Sequence, residues 1–262
     1  MVEDVAKKED VAKKEDDIIY SYLIYEDKLN LHVIGLGYSY WKQVITILRD
    51  VIPVYDKVNR VISLGKDDLY RNEGIRENIK PGDFILDAGS GFGNMSLASL
   101  KITSYNVRIV MYDPIFEMLQ SSRHRLIVEL LSSGIFEHIP FKDNTFDVVM
   151  CGYSLRDAIN LERAISEIHR ILKKNGRFLI VDLGKPNNKI IRLGVAIYLK
   201  YIIKIFGYVV ARKAGLKFQT LYGTFLKWPQ NNILYSLLKN QFSHVDLRSK
   251  LLGGSIIVSS TK

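Results

Sequence analysis

A short loop after Asp87 contains three glycines, and the apolar run 84–86 precedes it; the glycines are Gly89, Gly91 and Gly93. Glycine lets a backbone turn sharply and approach a ligand closely, and α/β sheets bind ligands at the carboxyl ends of their strands. The dinucleotide-binding pattern needs its third glycine at position 94, where this chain has Asn94. A carboxylate directly before the glycines therefore favours a ligand with a cationic amino group over a pyrophosphate.

A second acidic residue, Asp113, stands twenty residues after Gly93, at the end of the apolar run 107–112. A carboxylate in that place can accept both hydroxyl hydrogens of a ribose. The glycine loop alone is equally consistent with a tight strand–helix turn. The loop together with Asp113 predicts a cofactor that contains a nucleoside.

Apolar segments and turn residues alternate along the chain in the way that strands and helices of a layered fold require. Helices are predicted at 55–64, 67–79 and 158–173, the last ended by Asn175-Gly176, and strands at 84–87, 107–112, 146–151 and 177–182. This alternation predicts an α/β protein with a mostly parallel central sheet and helices on both faces.

The composition is that of a globular protein, with 262 residues, 47% apolar and 25% charged. One cysteine, Cys151, excludes an internal disulfide, and the five histidines show no ligand spacing, so no metal site is predicted. The acidic amino terminus lacks the apolar core of a secretion signal, and no run of about 18 apolar residues occurs. We therefore expect a cytoplasmic protein.

The net charge of +9 is regional. Residues 183–245 contain ten Lys or Arg and no Asp or Glu, which leaves 27 basic and 28 acidic residues in the rest of the chain. Such a region indicates an anionic partner, namely membrane lipid, nucleic acid or an acidic substrate, unless it is simply a solvated face.

Three segments divide the chain. Residues 1–16, which repeat Glu-Asp-Val-Ala-Lys-Lys, predict a mobile charged tail, and residues 17–50 predict an extension that packs on or covers the core, as a strand hairpin or two helices. Residues 51–262 form the core domain. Within it, 189–228 predicts a basic amphipathic helical cover, with Lys189, Arg192, Lys200 and Lys204 opposite Ile191, Val195, Tyr198, Tyr201, Ile202 and Ile205. Its apolar side suits a membrane interface, core packing, or both if it lines a channel for a lipid tail.

Several motifs resemble those of known methyltransferases. The segments 139–149 and 168–177 are similar to the later motifs of Rossmann-like methyltransferases. The segments 54–59 and 63–65, Ser154-Leu155-Arg156-Asp157, Trp228-Pro229-Gln230 and 251–257 resemble the ubiquinone/menaquinone-biosynthesis C-methyltransferase family. The likeness covers residues 52–262 and implies a Rossmann-like methyltransferase fold that uses S-adenosylmethionine.

The resemblance also implies roles for individual residues. Arg156 would be catalytic by stabilising an oxyanion, and Asp157 would orient it or act as the base; alternatively, Asp157 caps helix 158–173. Tyr55, Asn59 and Tyr153 would contact the substrate. The cofactor would be bound by Asp87, Gly89, Ser90, Gly91, Gly93, Asp113, Pro114, Phe136 and Gly152.

The chain departs from the family pattern at four places near these motifs. Asp67-Asp68 replaces His-Arg, Phe92 replaces a threonine, Ile135-Phe136 replaces a polar residue and alanine, and Asp157 replaces an asparagine. These differences indicate a divergent member, whose acceptor can differ from that of the family.

The leading prediction is C-methylation of an isoprenoid quinone precursor by a protein peripheral to an anionic membrane surface. The alternatives are methylation of another small molecule or lipid, an RNA methyltransferase or other nucleic-acid binder, and a cofactor-binding scaffold without turnover. The basic residues accompany long aliphatic stretches rather than interleaved aromatics, which favours lipid over nucleic acid. The sequence defines no oligomeric state.

Overall fold

The computed structural model describes residues 34–54, 60, 63, 65–123, 130–215, 217 and 220–262. The predicted tail 1–16, the first part of the predicted extension and the substrate candidates Tyr55 and Asn59 lie outside the described residues, as does most of the predicted helix 55–64.

A seven-stranded sheet forms the centre of the described part, in the order β3-β2-β1-β4-β5-β7-β6. Its strands are β1 Phe84–Ala88, β2 Arg108–Asp113, β3 Leu130–Ser133, β4 Phe146–Gly152, β5 Leu172–Leu183, β6 His244–Lys250 and β7 Ser255–Thr261. Only β7 of these runs against its neighbours β5 and β6, and the other pairs are parallel. The predicted α/β fold with a mostly parallel sheet is confirmed.

The central strands are continuous apolar runs because both of their faces are covered by helices. β1 and β4 are almost entirely buried. Asp87 pairs in register with Met111 of β2 and Met150 of β4. Because these strands are parallel, Asp87, Asp113 and Gly152 all lie toward one edge of the sheet.

The helices are α1 Tyr38–Val51, α2 Asp67–Asn78, α3 Asn94–Ile102, α4 Phe116–Ser122, α5 Leu161–Ile171, α6 Lys189–Ile197, α7 Ile203–Gly215, α8 Thr220–Lys227 and α9 Asn231–Lys239. A five-residue π-helix, Tyr198–Ile202, joins α6 to α7. Helix α2 lies close to the sheet at Gly74, where an added Cβ would come within 2.9 Å of Leu179 Cδ1. No helix in the described ranges is long and apolar enough to span a bilayer.

The prediction of a helix over 158–173 is wrong at both ends. Residues Leu155–Asp157 form a 3₁₀ turn, and α5 begins at Leu161 because the Asn160 side chain, not that of Asp157, accepts from the backbone amide of Arg163 at 3.0 Å. The helix ends at Ile171 because Leu172 pairs with Phe146 of β4. Asn175, with a φ of 61°, therefore lies inside β5 rather than at the end of a helix.

Replacing Asn160 with alanine is expected to lower the free energy of unfolding by about 1 kcal/mol, because an N-cap side chain satisfies an otherwise unpaired helix amide. Chemical denaturation followed by circular dichroism measures this. Asn160→Ser retains a capping oxygen and is the matched control. Equal losses in the two variants would contradict the capping role.

Helix α1 is joined to the core by the segment before it. The amides of Leu36 and Gly37 donate to the carbonyls of Ala158 and Ile159 at 2.9 and 3.0 Å. This contact requires glycine at position 35, because a Cβ atom added to Gly35 would lie only 2.4 Å from the Ile159 carbonyl oxygen. Of the two alternatives for 17–50, the described end of that segment is helical.

Candidate functional site

A small cavity, here the loop cavity, lies at the carboxyl edge of the sheet between the glycine loop and α1. Trp41, Ile45 and Leu48 of α1 line its outer wall. Seven of the predicted site residues line it together: Gly89, Gly91, Asp113, Pro114, Phe136, Tyr153 and Asp157. The arrangement brings the ends of β1, β2 and β4 to one place, as the sequence spacing predicts.

Gly89 is required by its surroundings. Its φ is 69°, and an added Cβ would lie 2.4 Å from Ser154 Cβ and 3.1 Å from the tip of the buried Phe136 ring. Its amide donates to the carbonyl of Tyr112 at 2.7 Å, which fixes the loop to β2. Gly152 is similarly enclosed, since an added Cβ would meet Met95 Cγ at 2.4 Å.

Asp87 is fully buried behind the loop. Its Oδ2 accepts from the amide and hydroxyl of Ser96, at 3.1 and 2.6 Å. Burial is the largest cause that raises its pKa, to about 7, and the hydrogen bonds from Ser96 oppose the shift. Among the described residues, Asp87 Oδ1 and Ser90 Oγ are buried with no hydrogen-bond partner. Buried polar atoms normally have partners, so these atoms fit a polar, cationic ligand group at the loop.

Asp113 at the end of β2 supports the loop and faces the loop cavity. Its Oδ2 accepts from the Gly91 amide and its Oδ1 from the Ile115 amide, both at 2.8 Å. Burial raises the pKa of this carboxyl to about 6. Because each carboxylate oxygen can accept more than one hydrogen bond, Asp113 retains capacity to accept from ribose hydroxyls.

A larger cavity of about 390 Å³ adjoins the loop cavity, and Tyr153 lines both. Its inner end is polar and is formed by Ser63, Asp67, Arg71, Tyr153 and Arg156. Its remaining wall is mostly apolar and comes from α6, the π-helix, α8 and the turn before β7; it includes Ile191, Val195, Tyr198, Leu199, Leu221 and Leu251.

Arg156 lies at this inner end in a buried ion pair that the sequence reasoning missed. Its Nη1 is 2.6 Å from Asp182 Oδ1, and the two side chains are 7% and 0% exposed. Asp157 Oδ1 is 3.9 Å from Arg156 Nε, and burial raises the pKa of Asp157 to about 6. In the sequence, the only feature that marks Asp182 as a candidate site residue is its position after the apolar run of β5.

Asp67, one of the departures from the family pattern, is also in this end of the cavity. Its Oδ2 accepts from Arg71 Nη1 at 2.7 Å, and Ser63 Oγ donates to its other oxygen. The Arg71 guanidinium lies over the Tyr153 ring, with Cζ 4.9 Å from the centroid. Tyr153 itself has a φ of 61°, in the left-handed region that costs a bulky residue energy.

The helical cover 189–228 has two apolar sides rather than the one predicted opposite its lysines. Ile191, Val195 and Tyr198 line the large cavity. A second row is exposed to solvent and comprises Ile190, Leu193, Ile197, Tyr201, Ile205, Tyr208 and Val209. The π-helix shifts the helical phase between the two ends of the cover. Tyr201, Ile202 and Ile205 are therefore exposed, although the predicted wheel grouped them with Ile191.

Within the described ranges, no group of three or more His, Cys, Asp or Glu side chains could hold a metal ion.

The fold is that of the Rossmann-like, S-adenosylmethionine-dependent methyltransferases. A methyltransferase of Thermotoga maritima described as a possible histamine N-methyltransferase has the same fold, with a TM-score of 0.57 at 17% identity over 84% of this chain and 99% of that one. A second, from Aquifex aeolicus, has a TM-score of 0.52 at 14% identity over 79% and 96%.

The chain belongs to the ubiE/COQ5 methyltransferase family, which matches residues 38–261. It is 30% identical to a demethylmenaquinone methyltransferase of Symbiobacterium thermophilum over 79% of this chain and 88% of that protein. It is 24% identical to a ubiquinone/menaquinone biosynthesis C-methyltransferase of Teredinibacter turnerae over 76% and 82%. The family predicted from the motifs is confirmed.

Proposed function

We propose that the protein transfers a methyl group from S-adenosylmethionine to a ring carbon of an isoprenoid quinone precursor in its reduced, hydroquinone form. The observation that carries the proposal is the large cavity, whose polar inner end adjoins the loop cavity and whose long wall is apolar. Such a cavity accommodates a ring with oxygen substituents at one end and an isoprenoid tail along the other. The names of the two relatives point to the same class of acceptor.

Asp87 would hold the amino group of the cofactor and Asp113 its ribose, with Gly89 and Gly91 allowing close approach of the backbone. When bound, S-adenosylmethionine supplies an electrophilic methyl group. A phenolate is a much better carbon nucleophile than a phenol, so the site must favour the deprotonated ring. The permanent charge of Arg156 at the inner end of the large cavity would stabilise that oxyanion.

Asp182 and Asp157 would have different roles, one in orienting Arg156 and the other in accepting a proton. The 2.6 Å contact supports Asp182, rather than Asp157, as the group that orients Arg156. Asp157 lines the loop cavity, and its pKa of about 6 is near the range suited to a general base. It would accept a proton from the phenol hydroxyl, or the ring proton that leaves after the new carbon–carbon bond forms.

A methylation assay tests the proposal. The purified protein is given S-adenosylmethionine with a deuterated methyl group and either a demethylated, prenylated hydroquinone or its analogue without the tail. We expect methylation of a ring carbon, located by mass spectrometry and NMR, and faster turnover of the prenylated acceptor. Methylation of oxygen or nitrogen would contradict the proposed ring carbon. Methylation of a different lipid in a cell extract, but not of the hydroquinone, would contradict the proposed acceptor.

We also propose that the protein works at an anionic membrane surface. The exposed row on α6 and α7 includes Ile190, 81% exposed, and Val209, 73% exposed, and Leu252, which lines the large cavity, is 79% exposed. Lys189 and Lys204 are exposed on the same cover. Apolar side chains next to lysines suit the boundary between lipid headgroups and tails.

Vesicle co-sedimentation tests this surface. We expect the protein to pellet with phosphatidylglycerol-containing vesicles more than with pure phosphatidylcholine, and the double variant Ile190→Ser/Val209→Ser to pellet less. Tyr105→Ser removes a large side chain that is also exposed, at 64%, but lies outside the cover, and is the control. Unchanged sedimentation of the double variant would contradict the proposed surface, as would preferential retention of the protein on RNA.

A further inference from the structure

Arg71 is a buried cation that the proposed reaction does not use. It lies in α2, and its side chain is 5% exposed. One nitrogen, Nη1, donates to Asp67 at 2.7 Å and reaches Asp68 at 3.4 Å. Among the described residues, its Nε is buried and has no hydrogen-bond partner. A buried guanidinium nitrogen without a partner is costly, and its position indicates what it could bind.

The Nε atom lies beside the last residue of β4. A Cβ atom added at Gly152 would lie 3.9 Å from it. β4 is the neighbour of β1, where Asp87 pairs in register with Met150, two residues before Gly152. The unpartnered Asp87 Oδ1 and the unpartnered Arg71 Nε therefore belong to adjacent parts of the same edge of the sheet.

These two atoms carry opposite charge. A ligand group that satisfies both must present a cation to Asp87 and an anion to Arg71, which is the charge pattern of a zwitterionic α-amino acid. S-adenosylmethionine contains such a group in its methionine part.

We propose that Arg71 binds the α-carboxylate of the methionine part of S-adenosylmethionine, while Asp87 accepts its ammonium group. Asp67 holds one edge of the guanidinium, and the Tyr153 ring supports its face. Asp67, a departure from the family pattern, thus becomes a positioning residue for the cofactor in this chain. The inference rests on the proposed cofactor and adds a residue to its binding site.

Calorimetry with two ligands tests the inference. S-adenosylhomocysteine carries the amino-acid group, and 5′-methylthioadenosine has the same nucleoside without it. We expect Arg71→Gln to weaken binding of S-adenosylhomocysteine about 10- to 100-fold, as for a lost hydrogen bond between charged groups. Binding of methylthioadenosine should not change. Arg76→Gln, at an exposed position of the same helix, should change neither.

The outcomes separate this inference from the proposed function. Equal losses for both ligands would show that Arg71 only supports the fold. An unchanged affinity for S-adenosylhomocysteine with a raised KM for the acceptor would assign Arg71 to the acceptor. Either result overturns this inference and leaves the proposed function standing. Failure of the wild-type protein to bind S-adenosylhomocysteine would overturn the proposed cofactor as well. If Arg71→Gln does not fold, Arg71→Lys replaces it in the test, because lysine keeps the charge beside Asp67. This variant must then show a reduced preference for S-adenosylhomocysteine over methylthioadenosine.

Discussion

Replacing Asp87 with asparagine is expected to weaken binding of S-adenosylhomocysteine about 100-fold, because it leaves a buried ligand ammonium without its counter-charge. The side chain keeps its shape and one oxygen, so the loop and the contact with Ser96 should persist. Titration calorimetry measures the loss. It is done above pH 7, because the Asp87 carboxyl of the wild-type protein, with a pKa of about 7, is ionised there before the cofactor binds. Turnover at low cofactor concentration should fall in parallel.

The pH dependence gives this prediction a second readout. The pKa of Asp87 is raised from 3.8 to about 7 in the free protein, so below pH 7 the cofactor must displace a proton to pair with the carboxylate. Affinity is therefore expected to be full above about pH 7 and to fall as the pH decreases, by at most about tenfold per pH unit for this one group. In Asp87→Asn only the contribution of Asp113, whose pKa is about 6, should remain.

Asp246→Asn serves as the control, because it removes a carboxylate of similar kind that is 52% exposed on β6. Its affinity and its pH profile should match those of the wild-type protein. If Asp87→Asn binds S-adenosylhomocysteine as tightly as the wild type does, the assignment of the ammonium group to Asp87 is wrong.

The second large effect is expected for Arg156→Lys, with a decrease in kcat of about 100-fold or more, as for removal of one group that stabilises a developing oxyanion. Lysine keeps a positive charge next to the buried Asp182, but it lacks the planar guanidinium that can contact Asp182 and the substrate oxygen together. The affinity for S-adenosylhomocysteine should stay within about threefold, because the contacts proposed for the cofactor are made by Asp87, Asp113 and Arg71, and Arg156 is instead held by Asp182.

Arg108→Lys, at the exposed start of β2, makes the same chemical change at the opposite edge of the sheet and should leave kcat unchanged. Thermal unfolding of both variants separates loss of catalysis from loss of structure. A kcat of Arg156→Lys equal to that of the wild type would remove Arg156 from the proposed mechanism.

The sequence was sufficient to predict the sheet and the position of the glycine loop beside Asp113, because parallel strands bring their carboxyl ends to one edge. Once the runs before Asp87 and Asp113 were recognised as strands, the proximity of the two residues followed from the geometry of the sheet. The loop glycines needed no tertiary information either, since their spacing after a buried strand is a local feature.

Arg71 and Asp182 could not be found in this way, because their roles depend on packing between elements. Arg71 comes to the site only because Gly74 lets α2 lie against β5. Asp182 matters only because the 3₁₀ turn carries Arg156 to the end of β5. The start of α5 was misplaced for a related reason, since Asp157 and Asn160 are both suitable caps and the turn at Leu155–Asp157 decides between them.

The apolar sides of the helical cover were only partly predictable. Periodicity assigns residues to faces on the assumption of a regular helix, and the π-helix at Tyr198–Ile202 breaks that regularity. Beyond it, the positions extrapolated from α6 no longer face the large cavity.

Binding of S-adenosylhomocysteine and of NAD⁺ to the wild-type protein, measured side by side by titration calorimetry, tests the central assignment most directly. We predict that one S-adenosylhomocysteine binds per chain, with an affinity that falls as the pH decreases below 7, and that NAD⁺ does not bind. Tight binding of NAD⁺ without uptake of S-adenosylhomocysteine by folded protein would contradict the assignment of Asp87, the glycine loop and Asp113 to this cofactor.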